Sequence, residues 1–282
     1  MRNSREKSPA ICVSLAAMRQ ILPRIPIATL RSCMVPWMLG GLLASCSPTP
    51  PPTVTNAPTP GPQVYHAAAK RFAAVVVSKE DNIDEWLGRN FRQRDAPNDA
   101  DGGTATPITA DGYFLTADHV IRTADERQIY IVQRRDGRLR ASAARVVWRS
   151  ADDDLALLHS NVPSAYHYRW TPSDAWLPRG LPVMHAGVAT GFKDASGKLV
   201  SAIPPDTKFS GNRRFKHDIP LAPGDSGGPV IDHRGLLVGV NSAVEFLVPL
   251  ETAFFIESEG NRPNIARLMK RIERDRQHHA NR

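Results

Sequence analysis

Short apolar segments separated by turn residues fill the middle of this chain, and they limit its possible folds more than any other feature. Residues 111–112 and 136–137 are Asp-Gly pairs, which are strong hairpin signals. No regular alternation of strand and helix patterns accompanies these segments, so a doubly wound parallel sheet is not expected. The pattern predicts an all-β domain, built as a barrel or a sandwich. Its first strands are predicted at residues 104–109, 113–116, 128–133 and 141–148.

Basic residues are concentrated at the two ends of the 282-residue chain, whose net charge is +8. Residues 1–45 and residues 261–282 each carry a net charge of +5, so the middle is near neutral to slightly acidic. The predicted core therefore lacks the basic footprint of a nucleic-acid-binding protein, and no nucleic-acid partner is expected. All three cysteines lie within the first 46 residues, so the folded part has no disulfide and depends on core burial.

The start of the chain is typical of an exported protein. Residues 1–45 combine positive charge, an apolar run and small residues, as a secretory signal peptide does. The run has about a dozen residues, fewer than the roughly 20 that a membrane-spanning helix needs. Residues 43–46 (Leu-Ala-Ser-Cys) resemble the bacterial lipobox, which implies cleavage before Cys46 and lipid on that cysteine. An ordinary signal peptide followed by an unrelated cysteine is the alternative.

A proline-rich segment follows the predicted lipidation site. Residues 46–63 contain seven prolines, which exclude a helix or a central strand and favour an extended tether. A plain disordered linker is the alternative. Ser47 stands where inner-membrane lipoproteins carry aspartate, so the lipoprotein resemblance implies the outer membrane, with the protein facing the periplasm. Residues 64–282 then form the folded domain.

Residues 224–229 (Gly-Asp-Ser-Gly-Gly-Pro) have the composition of a nucleophile loop. Glycines let the backbone turn tightly and leave its N–H groups free to point at a substrate. The apolar residues after Pro229 predict a buried strand behind the loop. A serine hydroxyl is a weak nucleophile, so Ser226 needs a base that takes its proton and a third group that orients the base.

Two upstream residues are candidates for those groups. His119 begins a short polar turn after a predicted strand; considered alone, it is better explained as a buried structural histidine. Asp154 is the last of three acids and precedes an apolar run, where a buried carboxylate needs a partner. The alternative for Asp154 is a charged loop that ends a strand. The order His, Asp, Ser is far more specific than any of the three signals.

The three segments together resemble the trypsin-like serine proteases. Residues 154–158 and 224–229 match the family motifs almost letter for letter, whereas Asp118 replaces the second alanine of the usual Thr-Ala-Ala-His. Residues 102–104, 111–116 and 239–242 are similar to the bacterial Deg/HtrA branch, and the resemblance spans about residues 102–248. It implies two six-stranded antiparallel β-barrels followed by a C-terminal helix. The implied activity is that of a serine endopeptidase acting on a protein or peptide, without cofactor or metal.

The resemblance also assigns roles to residues. Ser226 attacks the scissile carbonyl, His119 transfers the proton, and Asp154 fixes the imidazole tautomer. The backbone N–H groups of Gly224 and Ser226 form the oxyanion hole. Pro220 stands where trypsins carry the acid of the S1 pocket, so a small or apolar P1 residue is expected. The edge that pairs with an extended substrate is expected at Ser242, Ala243 and Val244.

The chain departs from the family at Asp225. Digestive trypsins pair this acid with a new N-terminus, often beginning Ile-Val-Gly-Gly, and no such stretch exists here. Activation by clipping is therefore not expected, and Asp225 must have another partner or face water. A competing fold, the α/β-hydrolase, shares the Gly-x-Ser-x-Gly pattern but needs a helix directly after the serine. Pro229 and the apolar residues after it favour a strand and argue against that fold.

The last part of the chain predicts an amphipathic helix, with apolar residues 265, 268, 269 and 272 on one face. The family resemblance implies that this helix docks on the second barrel. The alternative is an anionic-surface binder acting through residues 262–276. A second alternative is a catalytically silent binding module whose groove is closed by the insert at residues 81–101. His185 lies in an apolar segment and is expected to be structural.

Overall fold

The computed structural model describes residues 53–54, 56–81, 83–85, 87, 99–192, 195–250 and 253–280, with the backbone alone at residues 85, 243–250 and 253–257. The predicted signal peptide, Cys46 and most of the insert at 81–101 lie outside the described residues. No helix in the described ranges is long and apolar enough to cross a membrane.

The first half of the domain contains six strands: β1 (Ala73–Ser78), β2 (Asp101–Pro107), β3 (Tyr113–Thr116), β4 (Gln128–Arg135), β5 (Arg138–Ser150) and β6 (Leu155–Ser160). They form a closed antiparallel barrel with the strand order β1-β2-β3-β6-β5-β4. Pairing of β1 with β4 closes it, from Ala73 opposite Gln133 to Ser78 opposite Gln128. The predicted Asp136-Gly137 turn joins β4 to β5, and both residues have positive φ, as a tight hairpin turn requires.

The second half contains the strands β7 (Pro182–His185), β8 (Ser196–Lys198), β9 (Arg213–His217), β10 (Pro229–Asp232), β11 (Leu237–Leu250) and β12 (Ala253–Arg262). They form a six-stranded antiparallel sheet with the order β8-β7-β10-β11-β12-β9. A bridge between Leu199 and His217 connects residues at its two edges, so this sheet is barrel-like. The prediction of two six-stranded antiparallel barrels with a C-terminal helix is confirmed.

Two helices flank the strands. Helix α1 (Pro62–Lys70) leads into β1 through Arg71 and Phe72. Helix α2 (Ile265–Ala280) buries Leu268 and Ile272, two of the residues that the periodicity placed on its apolar face. They join a core cluster whose other members come from both sheets, among them Leu155, Leu157, Ile231 and Val240. This cluster lies between the barrels and holds them together.

Part of the predicted tether contacts the domain. Thr53 forms a parallel bridge with Arg179, and the Val54 N–H donates to the Arg179 carbonyl at 2.9 Å. Residues 53–54 therefore lie along the segment that precedes β7.

Candidate active site

The three predicted catalytic residues lie on connections between strands. His119 belongs to a 3₁₀ turn (Asp118–Ile121) that follows β3, and Asp154 ends the turn between β5 and β6. Ser226 lies in the loop between β9 and β10. The first barrel thus supplies the imidazole and the carboxylate, and the second supplies the hydroxyl. The Thr104 N–H of β2 donates to the Ser226 carbonyl at 2.9 Å and ties the loop to the first barrel.

The structure brings His119 and Asp154 together. Nδ1 of His119 is 2.9 Å from Oδ2 and 3.0 Å from Oδ1 of Asp154, and the His119 backbone N–H donates to Oδ1 at 2.9 Å. Burial alone would raise the pKa of Asp154, but hydrogen bonds from His119 and Ser242 outweigh it and lower the pKa to about 2. The carboxylate is therefore ionised at neutral pH. It favours the imidazole tautomer with a proton on Nδ1, which leaves Nε2 as an acceptor.

Ser242 contacts both halves of the site. Its hydroxyl donates to Oδ2 of Asp154, and its carbonyl accepts the Ser226 hydroxyl at 2.9 Å. Within the described part of the chain, Ser226 makes no hydrogen bond to His119. Such bonds are often long without substrate and tighten in the complex. The sequence predicts Ser242 only at the substrate-pairing edge, so these two contacts are additional.

The nucleophile loop has the backbone shape that its glycines allow. Gly224 has φ +107°, a left-handed conformation that other residues rarely adopt. The Thr104 hydroxyl donates to the Gly224 carbonyl at 2.7 Å and accepts the Val188 N–H at 2.9 Å. Among the described residues, the backbone N–H groups of Gly224 and Ser226 donate to no partner. Both of the predicted oxyanion donors are therefore available to a ligand.

The remaining predicted site residues border this loop. Pro220 is exposed, six residues before Ser226. Ala243 and Val244 lie in β11, where only their backbone is described. The register with β12 shifts between Asn241, which faces Gly260, and Val244, which faces Ser258. This bulge interrupts the ladder at Ser242, whose carbonyl turns to the Ser226 hydroxyl instead.

The strand β10 begins at Pro229, directly behind the serine. This excludes the helix that an α/β-hydrolase requires there. Comparison with known proteins agrees, because residues 103–240 match the family model of the trypsin-like peptidase domain. This part of the chain forms a trypsin-like peptidase domain.

Relatives of this domain carry names from the Deg/HtrA branch. A probable periplasmic serine endoprotease DegP-like of Pseudomonas fluorescens is 30% identical over 183 residues, which are 61% of this chain and 37% of the relative. A protein of the same name from Hahella chejuensis is 26% identical over 197 residues, 64% of this chain and 41% of the relative. The chain thus spans about two fifths of the length of these relatives. Among solved structures, the HtrA-type protease AlgW with decapeptide aligns with a TM-score of 0.49 and 22% identity, covering 74% of this chain and 66% of that one.

Asp225, the residue that the family pattern left unexplained, has backbone partners in this trypsin-like peptidase domain. Its side chain is fully buried, and Oδ1 accepts the N–H groups of Ala189 and Thr190, both at 3.1 Å. Oδ2 accepts the Ala222 N–H at 2.8 Å. These three donors take the place of the new N-terminus of digestive trypsins. Backbone donors leave no signature in the sequence, so sequence reasoning could not find them.

Asp118, the other departure from the family motif, is fully buried beside His119. Arg149 of β5 binds it with two parallel hydrogen bonds, from Nε to Oδ1 at 2.7 Å and from Nη2 to Oδ2 at 3.1 Å. Since Arg149 is the second-last residue of β5, which leads into the turn that ends at Asp154, this ion pair connects the turn of His119 to the strand next to the turn of Asp154. No group of His, Cys, Asp and Glu side chains in the described ranges could hold a metal ion.

Proposed function

We propose that this chain is a serine endopeptidase with the catalytic triad His119, Asp154 and Ser226. The observation that carries the proposal is the imidazole of His119, held through Nδ1 by an ionised carboxylate in a domain whose nucleophile loop has two N–H groups without a partner among the described residues. A family match alone would fit an inactive member as well. Unpaired donors beside a serine are what stabilisation of an oxyanion needs.

The proposed reaction begins when Ser226 attacks the scissile carbonyl. Nε2 of His119 accepts the hydroxyl proton, and the ionised Asp154 stabilises the imidazolium that forms. The oxyanion of the tetrahedral intermediate binds the N–H groups of Gly224 and Ser226. His119 then gives the proton to the leaving amine, which departs and leaves an acyl-enzyme on Ser226. A water molecule, deprotonated by His119, hydrolyses that ester and restores the serine.

We also propose a protein or peptide as the substrate. Pairing of β11 with β10 ends at Val240, so beyond Asn241 this side of β11 has no partner strand in the described sheet, and an extended peptide can pair with such an edge. Pro220 offers no charge for a basic P1 side chain, so a small or apolar P1 residue is proposed. The relatives are named periplasmic endoproteases, and this supports the periplasm as the compartment. Lipid on Cys46 would then hold the enzyme at the outer membrane.

A fluorophosphonate probe tests the proposal, since it labels a serine only where base and oxyanion hole activate it. We expect labelling of the wild-type chain, none of Ser226→Ala, and full labelling of Ser210→Ala, which changes an exposed serine. Asp154→Asn should slow labelling by about 10⁴-fold, because the amide favours the wrong imidazole tautomer. Asp153→Asn is the matched control and should label at the wild-type rate. A folded wild-type protein that does not react would overturn the proposal and leave the silent binding module.

A further inference from the structure

A chain of buried polar side chains runs behind the nucleophile loop, through the second barrel. His217 ends β9, Asn241 lies in β11 and His185 ends β7; all three are fully buried. Nε2 of His217 lies 3.1 Å from Oδ1 of Asn241, and Nδ2 of Asn241 lies 3.2 Å from Nδ1 of His185. Nε2 of His185 lies 3.2 Å from Oγ1 of Thr190. Three strands are thus linked to the loop between β7 and β8.

One backbone donor fixes the direction of every hydrogen bond in this row of buried side chains. The Ile219 N–H donates to Nδ1 of His217, so that nitrogen carries no proton. A neutral His217 must then donate from Nε2 to Oδ1 of Asn241. The Asn241 amide consequently donates from Nδ2 to Nδ1 of His185. His185 in turn carries its proton on Nε2 and donates it to the Thr190 hydroxyl.

Both imidazoles must be neutral for this arrangement to hold, and their surroundings favour that state. Burial lowers the pKa of His217 to about 3, with His185 adding to the effect and the hydrogen bond with Asn241 opposing it. Burial also lowers the pKa of His185, against the opposing charge of Asp225. In each of these hydrogen bonds a donor faces an acceptor, which is the condition for a buried polar network to be rigid.

This row of hydrogen-bonded side chains ends at the groups that bind the carboxylate of Asp225. Thr190, which receives the His185 proton through its hydroxyl, donates its own N–H to Oδ1 of Asp225. Oδ2 of Asp225 accepts the Ala222 N–H, and the Asp225 N–H donates to the Ala222 carbonyl at 3.0 Å. These bonds close the turn of residues 222–225, which contains Gly224. The position of the Gly224 N–H therefore depends on Asp225, and that of Asp225 on the loop of Thr190.

Asn241 makes a second connection to the same loop. Its backbone N–H donates to the Gly228 carbonyl, and its carbonyl accepts the Gly227 N–H, both at 2.8 Å. The residue whose side chain joins the two histidines thus also fixes the backbone directly after Ser226. Both ends of the nucleophile loop are held by one network.

We propose that His185 and Thr190 are positioning residues for the oxyanion hole, which act through Asp225 on the turn that carries the Gly224 N–H. This inference rests on the proposed endopeptidase function. It assigns to His185, which the sequence marked as structural, a specific contribution to acylation. The decisive contact is the hydrogen bond from Nε2 of His185 to the Thr190 hydroxyl.

The test removes that acceptor while keeping the volume of the side chain. Thr190→Val leaves the buried N–H of His185 without a partner, and Thr190→Ser, the matched control, restores a hydroxyl at the same place. In the full chain, we expect Thr190→Val to lower kcat and the rate of fluorophosphonate labelling by about 10-fold or more, with KM changed less than about threefold. Thr190→Ser should stay within about threefold of wild type in all three quantities, as expected when a hydroxyl is the required group.

Two further measurements do not depend on activity. Amide hydrogen exchange of residues 221–228 should accelerate in Thr190→Val and remain slow in Thr190→Ser. The ¹⁵N shifts of His185 and His217 should show a proton on Nε2 and none on Nδ1. Equal kcat and equal exchange in the valine and serine variants would overturn the inference, as would a proton on Nδ1 of His185. A wild-type chain that neither labels nor hydrolyses peptides contradicts the proposed function instead, and the exchange and shift data then still decide on the positioning role.

Discussion

At the scale of single residues, Gly187 shows how closely the loop behind the active site is fitted to Asp225. A Cβ added at Gly187 would lie 2.8 Å from the Cβ of Asp225 and overlap its carboxylate. Because Asp225 is fully buried, neither side chain can move aside into solvent. Position 187 therefore has no room for a side chain and requires glycine.

We accordingly predict that Gly187→Ala destabilises the protein by about 2 to 3 kcal/mol, the usual cost of overpacking a buried site. It should also abolish fluorophosphonate labelling, since the displaced Asp225 no longer closes the turn of Gly224. Urea unfolding and labelling measure the two effects. The matched control is Gly211→Ala, where an added Cβ meets no atom within 4 Å and the cost should be below about 0.5 kcal/mol. Equal stability of the two variants would contradict the prediction.

The residues that carry their own sequence signal were the ones that could be predicted. Ser226, His119 and Asp154 each stand in a motif, and the structure places the imidazole against the carboxylate. The partners of Asp225 could not be predicted, because they are three backbone N–H groups from two loops, and a backbone N–H group does not depend on residue type. The double role of Ser242 was missed for a related reason: a hydroxyl and a carbonyl acquire their partners only from the bulge in β11.

At the scale of elements, the ion pair of Asp118 and Arg149 links the 3₁₀ turn of His119 to the end of β5. The two partners differ in exposure, since Asp118 is fully buried whereas 37% of the Arg149 side chain is exposed. Removing the arginine leaves a buried carboxylate without its hydrogen-bonded cation, whereas removing the aspartate leaves an arginine that water can solvate. Arg122, 4.0 Å from Oδ2 of Asp118, is the nearest other cation in the described part of the chain.

We therefore predict an asymmetric result from the two truncations. Arg149→Ala should cost about 3 kcal/mol of the free energy of unfolding, because it leaves the Asp118 carboxylate buried, with only the exposed Arg122 at 4.0 Å as a cationic neighbour. Asp118→Ala, which restores the family motif, should cost about 1 kcal/mol, and the double variant should resemble it. Urea unfolding of the three variants completes a double-mutant cycle. Equal costs for the single variants, or a double variant as unstable as their sum, would show that the pair is not the unit described.

The C-terminal helix shows what a periodic pattern can and cannot indicate. The spacing of apolar residues identified Leu268 and Ile272 as buried, because burial of one helix face is a local property. The expected partner, the second barrel, describes only part of the docking. Asp275 accepts hydrogen bonds from Tyr113 and Arg145, both in the first barrel, and the guanidinium of Arg271 lies over the ring of Trp148 in β5. The surface against which a helix packs depends on the tertiary fold, and the spacing of apolar residues within the helix carries no information about it.

At the scale of the whole molecule, the distribution of charge bears on how the protein would be held at a membrane. Two mechanisms compete, lipid on Cys46 and electrostatic attachment through the basic residues of α2. The buried residues of α2 favour the first, since Leu268 and Ile272 are used in the core and cannot also enter a bilayer. Only Met269 of the predicted apolar face remains a large exposed hydrophobic residue.

The contact of Thr53 and Val54 with Arg179 also shortens the proposed tether. If Cys46 is lipidated, the residues between it and this contact are 47–52, and six residues in the extended polyproline conformation span about 19 Å. Residues 47–62 in the same conformation would have reached about 50 Å. The proposed enzyme is therefore expected to work close to the membrane surface, on substrates that reach that layer.

The anchor leads to the last prediction. Cys46→Ser should move the protein from the membrane fraction to the soluble periplasmic fraction and abolish incorporation of a palmitate analogue, because one lipidation site supplies the whole anchor. Cys33→Ser, which changes a cysteine inside the predicted signal peptide, is the matched control and should leave both unchanged. Attachment through α2 predicts the opposite pattern: Cys46→Ser stays on the membrane and is released by about 1 M salt, which screens surface charge within about 3 Å. Membrane association that survives Cys46→Ser and is lost in salt would therefore replace the lipid anchor by the basic helix.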